Sequence, residues 1–163
     1  MKRHDKLADT LPVGTLGILA LESSHDMGKR VNDYIVDWRK DRAAQNATAS
    51  TFAGYNRDSF LIDSACPRFG SGEAKGIINE SVRGDDLYLL VDVCNYSLTD
   101  TVCGHTNHMS PDDHYQDLKR IIAAVGGKAR RITVIMPFLY ESRQHRRSAR
   151  ESLDCAMALH ELT

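Results

Sequence analysis

The stretch RITVIMPFLYESRQHRRSAR, residues 131–150, sets the expected fold of this 163-residue chain. It begins with a β-branched and apolar run at 132–136, which ends at Pro137 and passes into a polar segment. In an α/β protein this order is typical of a buried strand whose carboxyl end leads into a loop. Ligands of open parallel sheets bind in the crevice outside such strand ends. We therefore expect a ligand site in the residues that follow Pro137.

Four arginines lie within eight positions of this polar segment: Arg143, Arg146, Arg147 and Arg150. Each guanidinium presents a planar fork of donors that can pair with a phosphate or a carboxylate. A solvated basic surface loop accounts for the same residues equally well, because basic clusters are common on protein surfaces. The spacing alone leaves a phosphorylated ligand and a plain surface loop both open.

Composition is that of an ordinary globular domain. Hydrophobic residues make up 42% and charged residues 26% of the sequence, and this length builds one domain with a core rather than two. The net charge of -1 gives no overall attraction for nucleic acid, and no apolar run is long enough to span a membrane. The charged amino terminus lacks the apolar core of a signal peptide. We therefore expect a cytoplasmic protein whose four cysteines are reduced.

Strand and helix patterns alternate along the chain. Apolar runs predict strands at 15–21, 59–63, 76–79, 87–93 and 132–136. Helical patterns follow the first, fourth and fifth of these strands. This order is typical of a mainly parallel α/β sheet flanked by helices, here as a single domain over residues 1–163.

Two of the three predicted helices carry strong local signals. The clearest start is Ser110-Pro111-Asp112-Asp113, in which Ser caps, Pro suits the first helical position, and two acids occupy the first turn; this helix is expected over 111–125. Ser148 and Glu151 predict a capping box for the last helix, which is expected to run through Leu162.

The first helix is predicted from one apolar face. Its members repeat at helical spacing, which predicts that they are buried and that Trp38 anchors the core; they are Met27, Val31, Tyr34, Ile35 and Trp38. The polar stretch 41–50 is expected to be a helix tail or a surface loop.

An irregular segment is expected at 94–109. Cys94, Cys103, His105 and His108 fall within fifteen residues here, and Cys and His are zinc ligands. Their spacing lacks the close pairs of structural zinc sites, so a surface insertion is the favoured interpretation and no metal site is predicted.

Two further stretches carry a resemblance. FGSGE at 69–73 is followed, after a short predicted strand, by ESVRG at 80–84. Together with residues 137–144 and the basic residues behind them, these segments resemble the N-terminal half of ribose-phosphate pyrophosphokinases. That family carries Phe-x-Asp/Asn-Gly-Glu, Glu-Ser-Val-Arg-Gly and Pro-Tyr-x-x-Tyr-x-Arg-Gln-Asp-Arg-Lys in the same order. The resemblance covers most of the chain, with insertions near 40–56 and 97–108.

The resemblance implies a type I phosphoribosyltransferase-like fold, as one half of a two-domain enzyme. The implied reaction transfers the diphosphoryl group of Mg-ATP to the 1-hydroxyl of ribose 5-phosphate, and gives PRPP and AMP. Mg²⁺ is thus an implied cofactor. Homo-oligomers are implied as well, because the family's sites are completed across subunit interfaces.

Residue roles are implied in the same way. Arg143 and Gln144 would contact ATP, and Phe69 and Glu73 would approach the adenine from a neighbouring subunit. The physical chemistry agrees, since a guanidinium gives charge-assisted donors to a triphosphate and Phe offers an apolar face to a base.

The resemblance also implies a regulatory site, and two residues of this sequence differ from the family pattern. Ser81 and Arg83 would line a regulatory phosphate or nucleotide site at a subunit interface. Ser71 stands where the family has Asp or Asn, and His145 replaces the Asp after Arg-Gln, so the nucleotide preference is open.

The family's C-terminal catalytic half is absent from these 163 residues. The ribose-phosphate site, the catalytic flexible loop and the metal-binding histidine belong to that half, so we expect this chain alone to be inactive and the protein ligands of Mg²⁺ to lie beyond it. Two alternatives stay open. One is a non-catalytic regulatory subunit of the synthetase-associated type, and the other is a generic nucleotide-binding α/β domain.

Overall fold

A three-stranded parallel sheet lies at the centre of the computed structural model, which describes residues 12–45 and 51–163. The strands are β1 (Leu16–Ala20), β4 (Asp86–Leu90) and β7 (Arg131–Ile135), in the order β1-β4-β7. Leu16 lies opposite Asp86, and Asp86 lies opposite Arg131. The predicted α/β class with a parallel sheet and flanking helices is confirmed.

Helices cover both faces of this sheet. Helix α1 (His25–Ala44) lies on one face, after a short 3-10 turn at Glu22–Ser24, and helix α2 (Pro111–Val125) lies on the other. Because β4 is the middle strand, it buries side chains on both faces. Leu87 and Leu89 pack in the α2 core, and Leu90 packs against Val36 in the α1 core.

Smaller elements surround the sheet. Strands β2 (Ser64–Ala65) and β3 (Ile77–Ile78) pair antiparallel, as do β5 (Thr99–Val102) and β6 (His105–His108). The last helix is α3 (Asp154–Glu161). In the described part of the chain, no helix combines the length and the hydropathy needed to cross a membrane.

Segment 59–63 forms less structure than its apolar run predicts. It lies beside β1 but makes one parallel bridge only, between Leu61 and Ile18. The Ile18 amide donates to the Phe60 carbonyl at 2.7 Å, and the Ile62 amide donates to the Ile18 carbonyl at 2.8 Å. The prediction of a full strand is therefore wrong in extent, although the segment does flank β1.

Strand β7 is less buried than predicted. Its Ile132 and Val134 pack against the core, but Arg131 is exposed and Ile135 is 42% exposed. The physical reason is position, because β7 pairs with β4 on one side and with no other described strand on its outer side.

Helix α2 has the predicted bounds, because its signals are local. The Ser110 hydroxyl accepts a hydrogen bond from the Asp113 amide at 3.2 Å, and the Asp113 carboxylate accepts one from the Ser110 amide at 2.8 Å. Gly126 ends the helix with a left-handed φ of 58°.

Helix α1 buries a different face from the predicted one. Its buried residues are Gly28, Asn32 and Val36, whereas Tyr34 is 66% and Trp38 is 60% exposed. Two contacts set this rotation. Gly28 lies directly against Ala20, where a side chain would clash, and the Asn32 side-chain oxygen accepts from the Phe60 amide at 2.7 Å. The interpretation of Trp38 as a core anchor is wrong.

Helix α3 begins six residues later than its predicted cap. Ser148 and Glu151 do form the expected contact, in which the Ser148 amide and hydroxyl each donate to one Glu151 oxygen at 3.1 Å. The residues between Glu151 and Asp154 are nevertheless not helical, and the helix starts at Asp154. Its amide at Cys155 donates to the carbonyl of Gln144 at 3.3 Å, which fixes the helix start against the preceding loop.

The segment expected to be irregular, 94–109, contains the β5–β6 hairpin. A two-residue turn joins the strands, and both turn residues have positive φ, 51° at Cys103 and 82° at Gly104. This is the arrangement of a type I′ turn, in which Asn-Gly is the usual sequence. The polar strands and the unusual Cys-Gly turn explain why the sequence pattern misses this hairpin.

We expect Cys103→Asn to stabilise the protein. Asn tolerates left-handed backbone better than Cys, so the free energy of unfolding should rise by about 1 kcal/mol. Urea unfolding under reducing conditions measures this change. Cys94→Asn is the control, since Cys94 is also exposed but does not have positive φ. Equal effects of the two substitutions would contradict the turn assignment.

Candidate functional site

The loop after β7 is held in place by Tyr140. Its ring stacks on Tyr115, with centroids 4.2 Å apart and an interplanar angle of 8°. Its hydroxyl donates to the Asp112 carboxylate at 2.8 Å, and its amide contacts the Met136 sulfur at 3.1 Å. Burial and the hydrogen bond to Asp112 both raise the pKa of Tyr140. The loop is therefore attached to the first turn of α2.

This attachment presents Arg143 at the carboxyl end of the sheet. Arg143 lines a cavity of about 280 Å³ together with Tyr96, Phe138 and Tyr140. Gln144 has an exposed side chain, while its backbone carbonyl anchors the start of α3. Two residues before Arg143, Glu141 has a left-handed φ of 55°, which turns the chain sharply.

The arginines of the loop have free donors. Within residues 12–45 and 51–163, none of Arg143, Arg146, Arg147 and Arg150 forms an ion pair. Glu151 instead accepts from Ser148, and the His145 ring nitrogen Nδ1 lies 3.0 Å from the Ser142 carbonyl oxygen. An anion could thus bind these guanidinium groups without displacing a described carboxylate.

A second loop carries Phe69, Ser71 and Glu73. The Phe69 amide donates to the Glu73 carbonyl at 2.7 Å, which makes a tight turn, and the Phe69 ring is 51% exposed. The Ser71 hydroxyl donates to the Glu73 carboxylate at 2.9 Å. The turn therefore presents a flat apolar ring, while the carboxylate beside it has an internal partner.

Arg68, the residue before this turn, attaches it to α2 and to the β5–β6 hairpin. Its side chain is only 10% exposed and makes two 3.0 Å hydrogen bonds to Asp117. Its Nε lies 3.2 Å from an Asp100 oxygen, and its Nη2 lies 4.0 Å from an Asp113 oxygen. Arg120 contacts the same Asp117 at 2.7 Å. Because a buried charge is costly unless it is paired, these five residues, the Arg68 cluster, act as one unit.

Asp113 illustrates the balance of forces in the Arg68 cluster. Burial alone would raise the pKa of Asp113, but the hydrogen bonds from Ser110 and the charges of Arg68 and His114 outweigh it and lower the pKa. The carboxylate thus stays ionised beside the guanidinium. Sequence patterns missed the cluster, since Arg68 and Asp117 lie 49 residues apart and no local motif marks them.

The β5–β6 hairpin also supports the turn at 69–73. The Cys103 amide donates to the Gly70 carbonyl at 2.8 Å. Val102 lies so close to Gly72 that an added Cβ would stand 3.3 Å from its methyl groups. Asp100 of the same hairpin belongs to the Arg68 cluster. The hairpin, which occupies the insertion predicted near 97–108, therefore supports the turn at 69–73.

The predicted ATP residues form two groups in one copy of the chain. Arg143, Gln144 and His145 lie in the loop after β7, and the cavity that Arg143 lines includes neither Phe69 nor Glu73. The first turn of α2 supports both groups, through Asp112 on one side and Asp113 on the other.

Ser81 and Arg83 lie elsewhere, in the exposed turn between β3 and β4. Val82 between them is buried and anchors the turn. The Gly84 amide donates to the Lys128 carbonyl at 2.9 Å. Neither the Ser81 nor the Arg83 side chain has a partner among the described residues.

No candidate metal centre occurs within the described ranges. No group of three or more His, Cys, Asp or Glu side chains there could hold an ion. Cys94, Cys103, His105 and His108 therefore form no such group, and His108 contacts the Tyr96 carbonyl at 2.8 Å.

Residues 16–163 match the family model described as the N-terminal domain of ribose phosphate pyrophosphokinase. The chain belongs to this family. Its fold is similar to that of phosphoribosylpyrophosphate synthetase from Mycobacterium smegmatis, with a TM-score of 0.63 and 20% sequence identity. That similarity covers 91% of this chain but 38% of the synthetase chain. No curated protein sequence matches.

Membership of the ribose-phosphate pyrophosphokinase family confirms the resemblance drawn from FGSGE, ESVRG and the segment after Pro137. The roles of individual residues stay predictions, because a likeness at this level of identity establishes the fold alone. The geometry adds the Arg68 cluster and the stacked pair Tyr115–Tyr140 to the residues worth testing.

Cys66 provides a chemical test of the Arg68 cluster. Its Sγ lies 3.8 Å from the Asp117 carbonyl oxygen, and burial, then the charge of Asp117, raise the pKa of Cys66 from 9.0 to about 11. We expect iodoacetamide at pH 8 to alkylate Cys66 roughly 100-fold more slowly than a thiol of ordinary pKa, since only the thiolate reacts.

Peptide mass mapping over time measures this difference against the exposed Cys94 and Cys103. Labelling of Cys66 should accelerate as the pH rises towards 11, and unfolding in urea should remove its protection. Alkylation of Cys66 as fast as Cys94 in the folded protein would contradict the described environment.

Proposed function

We propose that this chain is the ATP-side domain of a ribose-phosphate diphosphokinase. The complete enzyme transfers the diphosphoryl group of Mg-ATP to ribose 5-phosphate, which gives PRPP and AMP. The observation that carries the proposal is the Arg143 loop, whose guanidinium groups are unpaired among the described residues at the carboxyl end of a parallel sheet.

The Arg143 loop contributes positive charge to the proposed site. A triphosphate carries several negative charges, and a guanidinium offers it two parallel charge-assisted hydrogen bonds. Phosphoryl-group transfer depends mainly on positioning and on neutralising charge in the transition state. Arg143 is suited to both tasks because Tyr140 fixes the backbone beside it.

The turn at 69–73 contributes a surface for the base. Phe69 is exposed on a tight turn, as a stacking partner for adenine requires. Because Phe69 and Arg143 belong to separate surfaces of one copy, we propose that a site is completed by two copies in a homo-oligomer. Phe69 and Glu73 would then come from the neighbouring copy.

The two residues that differ from the family pattern, Ser71 and His145, affect the nucleotide preference in this proposal. Ser71 engages the Glu73 carboxylate, which leaves Glu73 less available to the exocyclic amine of adenine. His145 contributes an imidazole ring in place of a carboxylate, next to Gln144. Weaker discrimination between ATP and other nucleoside triphosphates follows from both changes.

Mg²⁺ is implied with ATP by the family. The described residues do not fit a resident metal site, since they contain no cluster of three suitable ligands. The ion would neutralise phosphate charge as a component of the substrate, and the arginines are the charges that this domain supplies.

A regulatory role is proposed for Ser81 and Arg83. Both are exposed beside a rigid turn, and neither side chain has a partner among the described residues. A phosphate group would give each side chain a hydrogen-bond partner. We also propose a cytoplasmic location, which suits the four unpaired cysteines.

A non-catalytic regulatory subunit is the second candidate. The bond between Ser71 and Glu73 favours it, because it occupies the carboxylate that would otherwise read adenine. In this case the chain would join an active synthetase oligomer and change its response to phosphate or nucleotides.

We expect Arg143→Ala to weaken ATP binding by roughly 10- to 100-fold, because one charge-assisted contact to the triphosphate is lost. Isothermal titration of the chain with ATP measures this change. In the protein that also carries the ribose-phosphate half, turnover should fall strongly. Arg130→Ala is the matched control, since Arg130 is exposed at the opposite, amino end of β7. Unchanged binding and turnover for Arg143→Ala would refute the ATP-side assignment.

For the second candidate, the chain is mixed with an active ribose-phosphate diphosphokinase and analysed by size-exclusion chromatography and by activity at varied phosphate. Co-elution together with an altered phosphate response is the expected result for a regulatory subunit. Absence of association would exclude this candidate while leaving the Arg143 test unaffected.

A further inference from the structure

One flank of helix α1 is apolar and exposed. It consists of Val31, Tyr34 and Trp38, which are exposed, and of Met27, which is partly buried against the chain's own core; we call these four residues the α1 seam. Val31 is 36% exposed, Tyr34 and Trp38 are more exposed still, and the Tyr34 and Trp38 rings lie 5.6 Å apart. Contiguous exposed apolar surface on a soluble domain marks an interaction site.

The spacing of the seam is that of a coiled coil. Its residues are separated by four, three and four positions, which matches alternating d and a positions of a heptad. Arg30 and Asp37 then occupy the two g positions beside the seam. In coiled coils these flanking positions choose the partner and its orientation.

We propose that a second copy of this chain covers the α1 seam with its own α1 in antiparallel orientation. All four seam residues then find apolar partners, since an a position faces a d position in such pairs. Val31 meets the partner's Tyr34, and Met27 meets the partner's Trp38. The second contact is a sulfur–aromatic pair.

Charge complementarity is the reason for choosing a second copy. In antiparallel pairing, g positions face g positions, so Arg30 lies beside the partner's Asp37, and the two-fold axis repeats this contact. Asp41 occupies the d position that follows Trp38, and in this arrangement it lies next to the amino end of the partner's α1. An acid is favourable there, because that end of a helix carries partial positive charge.

Parallel pairing of the same helices is unfavourable. Asp41, at the next d position, would face its own copy within the seam, and two carboxylates at that distance repel. Arg30 would face Ile35 and would find no acid, so that only the second g position, Asp37 opposite Arg42, would be paired. The antiparallel arrangement is therefore the one that satisfies both g-position charges.

Space for the partner's side chains is available. A groove of about 450 Å³ runs along this flank of α1, lined by Met27, Arg30, Val31, Tyr34 and Ile35. The pairing rests on α1 alone and is independent of the proposed nucleotide chemistry, since the Arg143 loop and the turn at 69–73 pack with α2 on the other face of the sheet.

Sedimentation equilibrium of the 163-residue chain under reducing conditions tests the proposal. We expect a concentration-dependent mass that approaches twice 18.2 kDa. Trp38→Ala should raise the dissociation constant at least about 30-fold, since a buried aromatic anchor is lost. Trp38 is the single tryptophan of the sequence, so its fluorescence should shift to shorter wavelength as the dimer forms.

Charge exchange separates the antiparallel dimer from other contacts. Arg30→Asp and Asp37→Arg should each raise the dissociation constant about tenfold, because like charges meet twice. The double variant should restore the original value. Lys29→Asp is the matched control, since it makes the same charge change at the neighbouring f position, which faces away from the seam, and should leave the dissociation constant unchanged.

The proposal is overturned by a monomer of 18.2 kDa at concentrations up to about 100 µM. It is also overturned by a dimer that does not respond to Trp38→Ala, or by a double charge variant that is weaker than either single variant. A monomer would mean that a second copy does not cover the seam. A double charge variant weaker than either single variant would mean that the two α1 helices do not pair in antiparallel orientation. Urea unfolding of each variant confirms that the exposed substitutions leave the fold intact.

Discussion

The largely buried guanidinium of Arg68 connects three parts of the chain that are distant in sequence. It must be paired, because an unpaired charge in so closed a position would cost several kcal/mol. Its partners come from α2 and from the β5–β6 hairpin, through Asp117 and Asp100. The turn at 69–73 begins at the next residue, so its position depends on this pairing. The hairpin, the helix and the turn are therefore constrained together.

Helix α2 extends this constraint to the loop after β7. Its capped first turn contains Asp112 and Asp113, neighbours that face in different directions. Asp113 is fixed by Ser110 and faces Arg68, while Asp112 accepts from the Tyr140 hydroxyl. Both loops proposed to contact ATP are thus attached to one rigid element. Removing the Ser110 cap would be expected to loosen both, although neither loop contacts Ser110 directly.

The sequence predicts best where the determining contacts are local. The bounds of α2 follow from a cap, a proline and a terminal glycine that lie within a few residues of each other. The basic loop after β7 can be predicted for the same reason, because the strand, the proline and the arginines follow each other in the sequence. The family resemblance was readable for the same reason, since FGSGE and ESVRG are short motifs of fixed order.

Prediction fails where the contacts are long-range. The apolar repeat in α1 predicts a core face, because periodicity identifies an apolar stripe but not what covers it. The orientation of α1 is decided by the close contact of Gly28 with Ala20 and by the bond from the Phe60 amide to Asn32, 28 residues away. The Arg68 cluster was missed for the same reason. The β5–β6 hairpin was missed because its strands are polar and its turn lacks Asn-Gly.

The two surfaces proposed to contact other copies lie on opposite faces of the sheet, and this has a consequence for assembly. Pairing through α1 is isologous, because the same surface meets itself across a two-fold axis. Completion of an ATP site by Phe69 of one copy and Arg143 of another can also follow a two-fold axis, which would form two equivalent sites and make this contact isologous as well. An isologous contact alone stops at a dimer. When both contacts operate in one protein, each dimer formed through α1 still presents the surfaces of the proposed ATP site, so assembly continues until the symmetry closes. The proposed ATP site shared between copies and the α1 seam would then belong to the same oligomer and would not compete for the same surface.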